Sequence, residues 1–400
     1  MLKTILATLA TTLLTTAAAG QPNIIVIMVD DVPDNLSVLP RTTSLLPQAT
    51  RYTNSFVNFP LCGPSRATFL TGQESHTHGV RKNPGFLADR TGLVTHALQA
   101  EGYATALFGK TPNGFKDSPA LLGFDYWATI ADLSEDRYFD PPMNVAGVVQ
   151  SSSGYTTDIV FDHAKRWIES NQGKPYFAWI ASIGGHAPND PAPRHAGACA
   201  AVPFTPGPAF NEADVSDKPS FIRSLPLLEP RKQRALETKF RDQCDTLQAD
   251  DEWIERLVIE HASENTCIFV TSDNGFLLGQ HRETGKVLLY DESVRVPLIW
   301  WGCGAEPGRS DERLVSNADL PATIIELAGA TPGRPLDGRS LRGEPRQFLL
   351  LEGVWDKKGA NGSSLGVRDA ASAYFEHSNG EREFYDMVAD QYQLTSIPRP

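Results

Sequence analysis

The stretch NIIVIMVDD at residues 23–31 is an unbroken run of apolar, largely β-branched residues that ends on two aspartates. Such a run predicts a strand that is buried on both faces of a mainly parallel sheet. Three further runs have the same character: YATALFG at 103–109, PYFAWIAS at 175–182 and CIFVTS at 267–272. Helical patterns lie between these runs, which favours an α/β fold whose sheet is covered by helices.

The residues that follow these runs carry oxygen ligands or positive charge: Asp30, Asp31, Lys110, His186, Asp273 and Asn274. In open α/β sheets, ligands bind at the carboxyl ends of the strands. Carboxylate and amide oxygens suit a hard cation such as calcium or magnesium better than zinc. Either acidic pair alone is more often a turn or a helix cap. Two such pairs after two similar runs together predict a metal site.

The loop PLCGPSRATFLTG at residues 60–72 holds a single cysteine, Cys62, with Arg66 four positions later. Together with Lys110, His186 and Lys286, this arginine could hold a tetrahedral oxyanion through charge-assisted hydrogen bonds. Each residue also has an ordinary interpretation. A single lysine is usually a solvated surface charge, and a free cysteine is often a small apolar filler.

Length and charge limit the classes of protein. A chain of 400 residues is long enough for one large domain with a small appendage. We expect a main domain over residues 20–335 and a small α+β subdomain over 336–400, where SSLGVRD, SAYFEH and REFYDM predict short antiparallel strands and SNGE a hairpin turn. The formal net charge of -12 argues against a general nucleic-acid-binding protein.

The first nineteen residues have the pattern of a secretory signal peptide, with Lys3, an apolar run and small residues up to Ala19. No later window is apolar enough for a membrane span, so the sequence predicts a secreted protein. Asn35 and Asn361 lie in N-glycosylation patterns.

The chain has five cysteines, an odd number, so one thiol is left unpaired if the other four form disulfides. The four besides Cys62 can pair in three ways, and the sequence does not choose among them: Cys199, Cys244, Cys267 and Cys303.

The loop CGPSRATFLTG resembles the signature of the sulfatase family, in which the cysteine of Cys-x-Pro-Ser-Arg is oxidised to Cα-formylglycine. PNIIVIMVDD, GQESHTHGV, ALFGKTPNGF and SDNGFLLGQHRETGK are similar to sulfatase segments in the expected order, and the resemblance runs from about residue 22 to the C-terminus. GKTPNG and FNEADVSDKP look closest to N-acetylglucosamine-6-sulfatases and to similar secreted arylsulfatases. The resemblance implies an alkaline-phosphatase-like α/β core between helices with a small C-terminal antiparallel sheet.

The resemblance also implies a mechanism. A formylglycine-generating enzyme would convert Cys62 during secretion, and one hydroxyl of the hydrated aldehyde, polarised by Ca²⁺, would attack sulfur before the second hydroxyl expels sulfate. Arg66 would brace the diol, Lys110 and Lys286 would bind sulfate oxygens, and His186 would assist proton transfer or sulfate binding. The ligands of the single calcium ion would be Asp30, Asp31, Asp273, Asn274 and residue 62.

The chain departs from the family pattern at one proline, and two histidines are additional candidate site residues. Many sulfatases carry a histidine two residues after the lysine of the Gly-Lys motif, where this chain has Pro112. His281 is a candidate replacement, a sugar contact or a structural residue, and His78 is a second candidate substrate contact. The expected substrate is a sulfate ester on a sugar, or an aryl sulfate.

Two other functions remain open. The first is a phosphomonoester or phosphonate ester hydrolase on the same core, and the second is a catalytically silent protein that binds sulfated glycans. A basic run could grip a sulfated polysaccharide, although interleaved acids favour the solvated face of a helix. Its members are Arg223, Arg231, Lys232, Arg234, Lys239 and Arg241.

Overall fold

The computed structural model describes residues 20–131, 138–355 and 362–397. The strands are β1 (Asn23–Val29), β2 (Ala49–Phe56), β3 (Ala104–Gly109), β4 (Tyr126–Ile130), β5 (Met143–Val145), β6 (Val148–Gln150), β7 (Tyr176–Ala181), β8 (Thr266–Ser272), β9 (Leu277–Leu278), β10 (Thr284–Gly285), β11 (Leu298–Gly302), β12 (Arg309–Ser316), β13 (Leu349–Val354), β14 (Ser363–Arg368), β15 (Ser372–His377) and β16 (Arg382–Asp386). The α-helices are α1 (Pro40–Ser44), α2 (Cys62–Thr71), α3 (Ser75–His78), α4 (Val94–Ala100), α5 (Thr156–Ser170), α6 (Ser220–Arg223), α7 (Pro230–His261), α8 (Asp291–Val294) and α9 (Asp319–Ala328).

The main sheet has the strand order β12-β2-β11-β8-β1-β7-β3-β4-β5-β6. Its centre is parallel: β1 pairs with both β8 and β7, and β3 pairs with β7 and β4 in the same sense. β11 runs antiparallel between β8 and β2. The four apolar runs of the sequence form the adjacent strands β8, β1, β7 and β3, so the predicted mainly parallel α/β sheet is confirmed.

The central strand β1 is apolar throughout because both of its faces are covered. Ile24, Val26 and Met28 point into one hydrophobic cluster with side chains of α2, α4 and α9. Ile25 and Ile27 point into the opposite cluster with side chains of α5 and α7. Successive strand residues face opposite sides, so each layer needs its own apolar set. Full burial of such a side chain contributes about 1.5–3 kcal/mol, which fixes the strand ends in place.

The C-terminal part of the described chain forms a four-stranded antiparallel sheet in the order β13-β14-β15-β16. The predicted turn at SNGE joins β15 to β16. Leu351, Phe375 and Tyr385 on the inner face pack with Phe56 and Leu289 of the main body. The small sheet that the sequence predicts is therefore present and shares a core with the main body, while the boundary at residue 336 stays a prediction.

Two disulfides select one of the three possible pairings: Cys199 with Cys244, and Cys267 with Cys303. Cys62 is the remaining thiol and is buried. Asn35 is exposed, and its use for glycosylation stays a prediction. Asn361 and the predicted signal peptide at 1–19 lie outside the described residues. Within the described ranges, none of the helices combines the length and apolar character that a bilayer crossing requires.

The long helix α7 carries a buried carboxyl group, Asp250, against the loop that follows β7. A Cβ atom at Gly184 would lie 1.9 Å from Asp250 Oδ2, so only glycine allows this close approach. Burial raises the pKa of Asp250 to about 7, and the nearby Ser182 hydroxyl offsets only part of that effect. The carboxyl group therefore costs stability when it ionises.

We expect Asp250→Asn to stabilise the protein at pH 8. The pKa of this carboxyl is about 7 in the folded state and near its ordinary value of 3.8 in the unfolded chain, so the folded state keeps the proton where the unfolded chain has released it. The wild type therefore loses up to about 4 kcal/mol of stability as the pH rises through that window. Urea unfolding at pH 5 and pH 8 measures the effect, with Asp162→Asn as control, whose half-exposed carboxylate pairs with Arg166. An equal difference between variant and wild type at both pH values would contradict this explanation.

Candidate active site

The two acidic pairs meet because their strands are neighbours in register. Val29 of β1 pairs with Ser272 of β8, so the residues that follow them emerge side by side at the carboxyl edge of the sheet. The backbone N–H of Asp31 donates to Asp273 Oδ1 at 3.2 Å, and Asn274 Nδ2 donates to Asp31 Oδ1 at 2.7 Å. The sequence prediction that these four residues come together agrees with this geometry.

Cys62 joins the cluster from the first turn of α2. Its Sγ lies 3.5 Å from Asp30 Oδ1 and 4.0 Å from Asp31 Oδ1. Every residue of α2 is buried, so the helix holds this side chain against the sheet edge. One ligand atom from each of four residues lies within 4.8 Å of the others: Asp30, Asp31, Cys62 and Asp273. The N-terminus of the helix adds a partial positive charge to the same place.

Three cations neutralise part of this negative charge. Arg66 Nε donates to Asp273 Oδ2 at 2.9 Å, and its Nη2 lies 3.3 Å from Asp30 Oδ2. Lys110 Nζ donates to the same Asp30 oxygen at 2.5 Å. Lys286 Nζ bonds Asp31 Oδ1 and also lies 2.8 Å from Cys62 Sγ. Arg66 and Lys110 are almost fully buried, where an ion is tolerated only when it is paired.

The acidic groups of the cluster differ in the direction of their pKa shifts. Burial alone opposes ionisation of Asp30, but Lys110, His186 and Arg66 together hold the pKa of that carboxyl well below its usual value. Burial and the charge of Asp30 raise the pKa of Asp273. Burial and the carboxylates of Asp273 and Asp30 raise the pKa of the Cys62 thiol. A thiol in this environment is a weak nucleophile.

The donor set fits a hard cation. The amide nitrogen of Asn274 bonds Asp31 and the Gly275 carbonyl, while its buried Oδ1 has no hydrogen-bond partner among the described residues. A buried amide oxygen normally has a partner. Three carboxylates and this oxygen are the ligand types that Ca²⁺ and Mg²⁺ prefer.

His186 lies at the edge of the cluster, on the loop after β7. Its Nε2 is 3.9 Å from Asp31 Oδ2, and its Nδ1 is 2.8 Å from the Ala187 carbonyl oxygen. The hydroxyl of Tyr138 donates to the carbonyl oxygens of Ile183 and His186, at 2.9 and 2.5 Å. The loop is therefore fixed, and the imidazole stays partly exposed.

The other two predicted histidines have local partners instead. His281 is fully buried, with Nδ1 2.7 Å from Glu212 Oε2 and its ring stacked on Tyr290 at 4.0 Å. The Val80 backbone N–H donates to His78 Nδ1, and His78 Nε2 lies 3.1 Å from Thr68 Oγ1. Burial lowers the pKa of His78 to about 4. None of the hydrogen bonds described for either ring reaches the Cys62 cluster, and the buried His281 Nε2 has no hydrogen-bond partner among the described residues.

Sequence reasoning missed Gln243, which supports the cluster from α7. Its Nε2 donates to the Asp31 carbonyl oxygen at 2.8 Å and to that of Gly185 at 3.0 Å, which ties α7 to two of the loops that form the site. A signal was available: Gln243 is a polar residue within the apolar stripe that contains Phe240 and Leu247. A second missed residue, Asn83, accepts the Gly63 N–H at 2.9 Å.

A cavity of about 490 Å³ lies beside the cysteine loop. Phe59, Arg81, Glu352, Leu365 and Tyr374 are among the residues that line it. Backbone hydrogen bonds join its wall to the site, because the Val287 N–H donates to the Pro60 carbonyl and the Val354 N–H donates to the Val287 carbonyl. The cavity is thus built on segments adjacent to Cys62 and Lys286.

We expect Gln243→Met to destabilise the protein by about 1–3 kcal/mol, because it leaves the buried Asp31 carbonyl without its side-chain donor and removes one of the two side-chain donors of the Gly185 carbonyl, while keeping the side-chain length. The free energy of unfolding in urea measures this loss. The control is Gln99→Met, whose amide donates to the exposed Asp125 carboxylate. Equal stability of the two variants would show that the Gln243 amide does not support the site.

Comparisons with known proteins identify the family to which the chain is similar. A family model described as Sulfatase matches residues 22–330. The chain is 32% identical to the arylsulfatase of Volvox carteri over 391 residues, which are 83% of this chain and 59% of that protein. It is 30% identical to the N-acetylglucosamine-6-sulfatase of Homo sapiens over 359 residues, which are 81% of this chain and 64% of that protein. The chain thus spans less than two thirds of either relative.

A solved structure described as a complex with its substrate D-glucosamine-2-N,6-O-disulfate has a TM-score of 0.83 to this chain. The identity is 24%, and the match covers 94% of this chain and 93% of the other. At that identity the likeness establishes the fold.

Proposed function

The chain belongs to the sulfatase family, and we propose on this premise that it hydrolyses sulfate esters, with sulfated sugars as its substrate class and residue 62 as the nucleophile. The observation that carries the proposal is the meeting of Cys62 with three carboxylates and three cations at one sheet edge. Such a site can hold a tetrahedral anion next to a nucleophile and a metal ion. The apolar and small residues at 1–19 support secretion.

The metal would be a single calcium ion held by oxygens of Asp30, Asp31, Asp273 and Asn274, together with residue 62. The unpartnered Asn274 Oδ1 and the close carboxylates support this assignment. When bound, the ion would act as a Lewis acid on an oxygen of residue 62 and on the substrate.

Cys62 would be used as formylglycine. Pro64 and Arg66 follow it in the Cys-x-Pro-Ser-Arg order of the modification signature. The modified residue would supply an oxygen nucleophile that can also release sulfate, which a thiol does not offer.

The protein's own cations would orient the sulfate group. Lys286 contacts both Asp31 and the side chain of residue 62, so its ammonium can bind a substrate oxygen next to the nucleophile. Lys110 donates a hydrogen bond to Asp30, and its ammonium can bind a second oxygen of the sulfate group. Arg66 bridges Asp30 and Asp273, and its Nη1 has no hydrogen-bond partner among the described residues, so this atom can donate to residue 62. His186, at the partly exposed edge, can transfer a proton to the leaving oxygen.

The rest of the substrate would occupy the cavity beside the cysteine loop. Leu365 and Val367 offer an apolar wall, Tyr374 a ring for stacking, and Arg81 a cation. This combination suits a sugar ring as well as an aryl group. The names of the relatives support N-acetylglucosamine 6-sulfate as the first sugar to test.

We expect protein secreted by a host with a formylglycine-generating enzyme to carry an aldehyde at residue 62 and to release sulfate from N-acetylglucosamine 6-sulfate and from glucosamine-2-N,6-O-disulfate. Mass spectrometry of the tryptic peptide Tyr52–Arg66 measures the conversion, and ion chromatography measures sulfate. Cys62→Ala should abolish turnover. Converted protein that binds these sugars without releasing sulfate would favour the silent glycan-binding alternative.

Paired aryl sulfate and aryl phosphonate esters separate the remaining enzymatic alternative. The two transferred groups have similar shape and differ mainly in charge. We expect the sulfate ester to react faster. A higher kcat/KM on the phosphonate ester would replace the sulfatase assignment by a phosphonate ester hydrolase.

We expect calcium to raise the melting temperature of EDTA-treated protein by several degrees, because a ligand at a hundredfold excess over its dissociation constant stabilises the folded state by about 2.7 kcal/mol. Thermal unfolding with and without CaCl₂ measures the shift. Asn274→Ala should reduce it, whereas Asn54→Ala, whose amide donates to the Glu312 carbonyl away from the site, should keep it. An undiminished shift in Asn274→Ala would exclude this residue as a ligand.

A further inference from the structure

Lys239 differs from the rest of the basic run. Arg223, Arg231, Lys232, Arg234 and Arg241 are exposed, and two of them pair with acids, as in Arg241 with Glu237 at 2.6 Å and Arg223 with Glu381 at 3.0 Å. Lys239 is half-buried. Its Nζ donates to Asn189 Oδ1 at 3.2 Å and lies 4.8 Å from the centroid of the Phe276 ring. Its side chain therefore has different surroundings from those of its neighbours on the helix.

These surroundings belong to two loops of the active site. Phe276 lies two residues after Asn274, and Asn189 lies three residues after His186. Asn189 is buried, and its Nδ2 donates to the carbonyl oxygens of Gly185 and His186 at 3.0 Å each. One turn further along α7, Gln243 bonds the Asp31 carbonyl. Lys239 thus lies between the His186 loop and the loop of the metal ligands.

The charge of Lys239 is not matched by a carboxylate. Among the described residues, no ion pair joins its Nζ to an acid within 4.0 Å, and Asn189 and the Phe276 ring are its polar and cation–π contacts. Lys110 and Lys286, by contrast, lie directly on Asp30 and Asp31. An ammonium group has three donors, and a half-buried one is costly without an anion.

The charged groups around Lys239 shift its pKa in opposite directions. Burial lowers the pKa of Lys239, Asp31 opposes that effect, and Lys286 reinforces it. Lys239 and Lys286 are therefore within electrostatic range of each other. An anion bound near both would relieve their repulsion.

We propose that Lys239 binds a second anionic substituent, a sulfate or carboxylate, on the sugar whose sulfate ester is cleaved. The inference rests on the proposed function, because it assumes that the ester lies at residue 62. It makes Lys239 a specificity-determining residue that favours doubly charged sugars over singly charged ones. A structural alternative is that Lys239 only ties α7 to the His186 loop through Asn189.

The test compares two substrates that differ in one charge, glucosamine-2-N,6-O-disulfate and N-acetylglucosamine 6-sulfate. Lys239→Gln keeps an amide donor for Asn189 but removes the charge. We expect it to raise KM about 10–100-fold for the disulfate, the range of one charge-assisted hydrogen bond, with kcat and the singly charged substrate changed less than about threefold. Lys239→Arg should restore much of the lost affinity.

The matched control is Lys232→Met, an exposed lysine on the same helix, which should leave both substrates unchanged. Added NaCl should weaken the preference of the wild type for the disulfate and leave that of Lys239→Gln unaltered. Equal losses on the two substrates would overturn the proposal in favour of the structural role. Unchanged kinetics in Lys239→Gln would also overturn it.

The Lys239 proposal can be tested even if the protein does not cleave these sulfate esters. Should the converted wild type release sulfate from neither sugar, titration calorimetry with the disulfate on the wild type and on Lys239→Gln decides the anion contact directly. A tenfold or larger loss of affinity in the variant supports the contact, and equal affinities overturn it.

Discussion

The central constraint in this protein is the burial of three carboxylates within a few ångströms of one another. Like charges at such distances repel strongly in a medium of low dielectric constant. The chain offsets this repulsion with Arg66 between two of the carboxylates and with Lys110 and Lys286 on single ones. A divalent cation would complete the balance, and the Asn274 oxygen, which has no donor among the described residues, is consistent with that.

This charge cluster requires several elements to hold fixed positions. The acids follow β1 and β8, Arg66 comes from α2, Lys110 follows β3, and Lys286 follows β10. A sheet strand covered on both faces by closely packed side chains provides the necessary stiffness. β1 has that environment, with one hydrophobic cluster on each side. Gln243 and the disulfide between Cys199 and Cys244 anchor α7 to the same region.

In the proposed function, substrate selection would have a different structural basis. The cavity wall is formed largely by β13, β14 and β15 of the small sheet, and Lys239 belongs to α7. These parts lie around the charge cluster and do not form it. Residues there can vary without disturbing the ion pairs that hold the acids, so one core can serve esters with different sugars or aryl groups.

Much of the site could be predicted because its residues lie next to short sequence patterns that are recognisable without the structure. Asp30, Asp273 and Lys110 each directly follow a strand, and strands are recognised from hydrophobic runs. His281 shows the limit, because its motif left a substrate contact and a structural role open, and only the fold places its ring beside Glu212 and Tyr290. Lys239 shows the opposite case, since its neighbours in sequence suggested a solvated face.

The sequence by itself determined the parallel strands, the oxygen-bearing side chains at their ends and the single unpaired cysteine, because these depend on hydrophobic patterning and composition over short stretches. The tertiary structure decided which cysteines pair: Cys267 lies opposite Gly302 in the pairing of β8 with β11, next to Cys303. It also decided the partners of Gln243, His281 and Lys239. Such partners are distant in the chain, and only the packing of α7 and the loops on the sheet brings them within bonding distance.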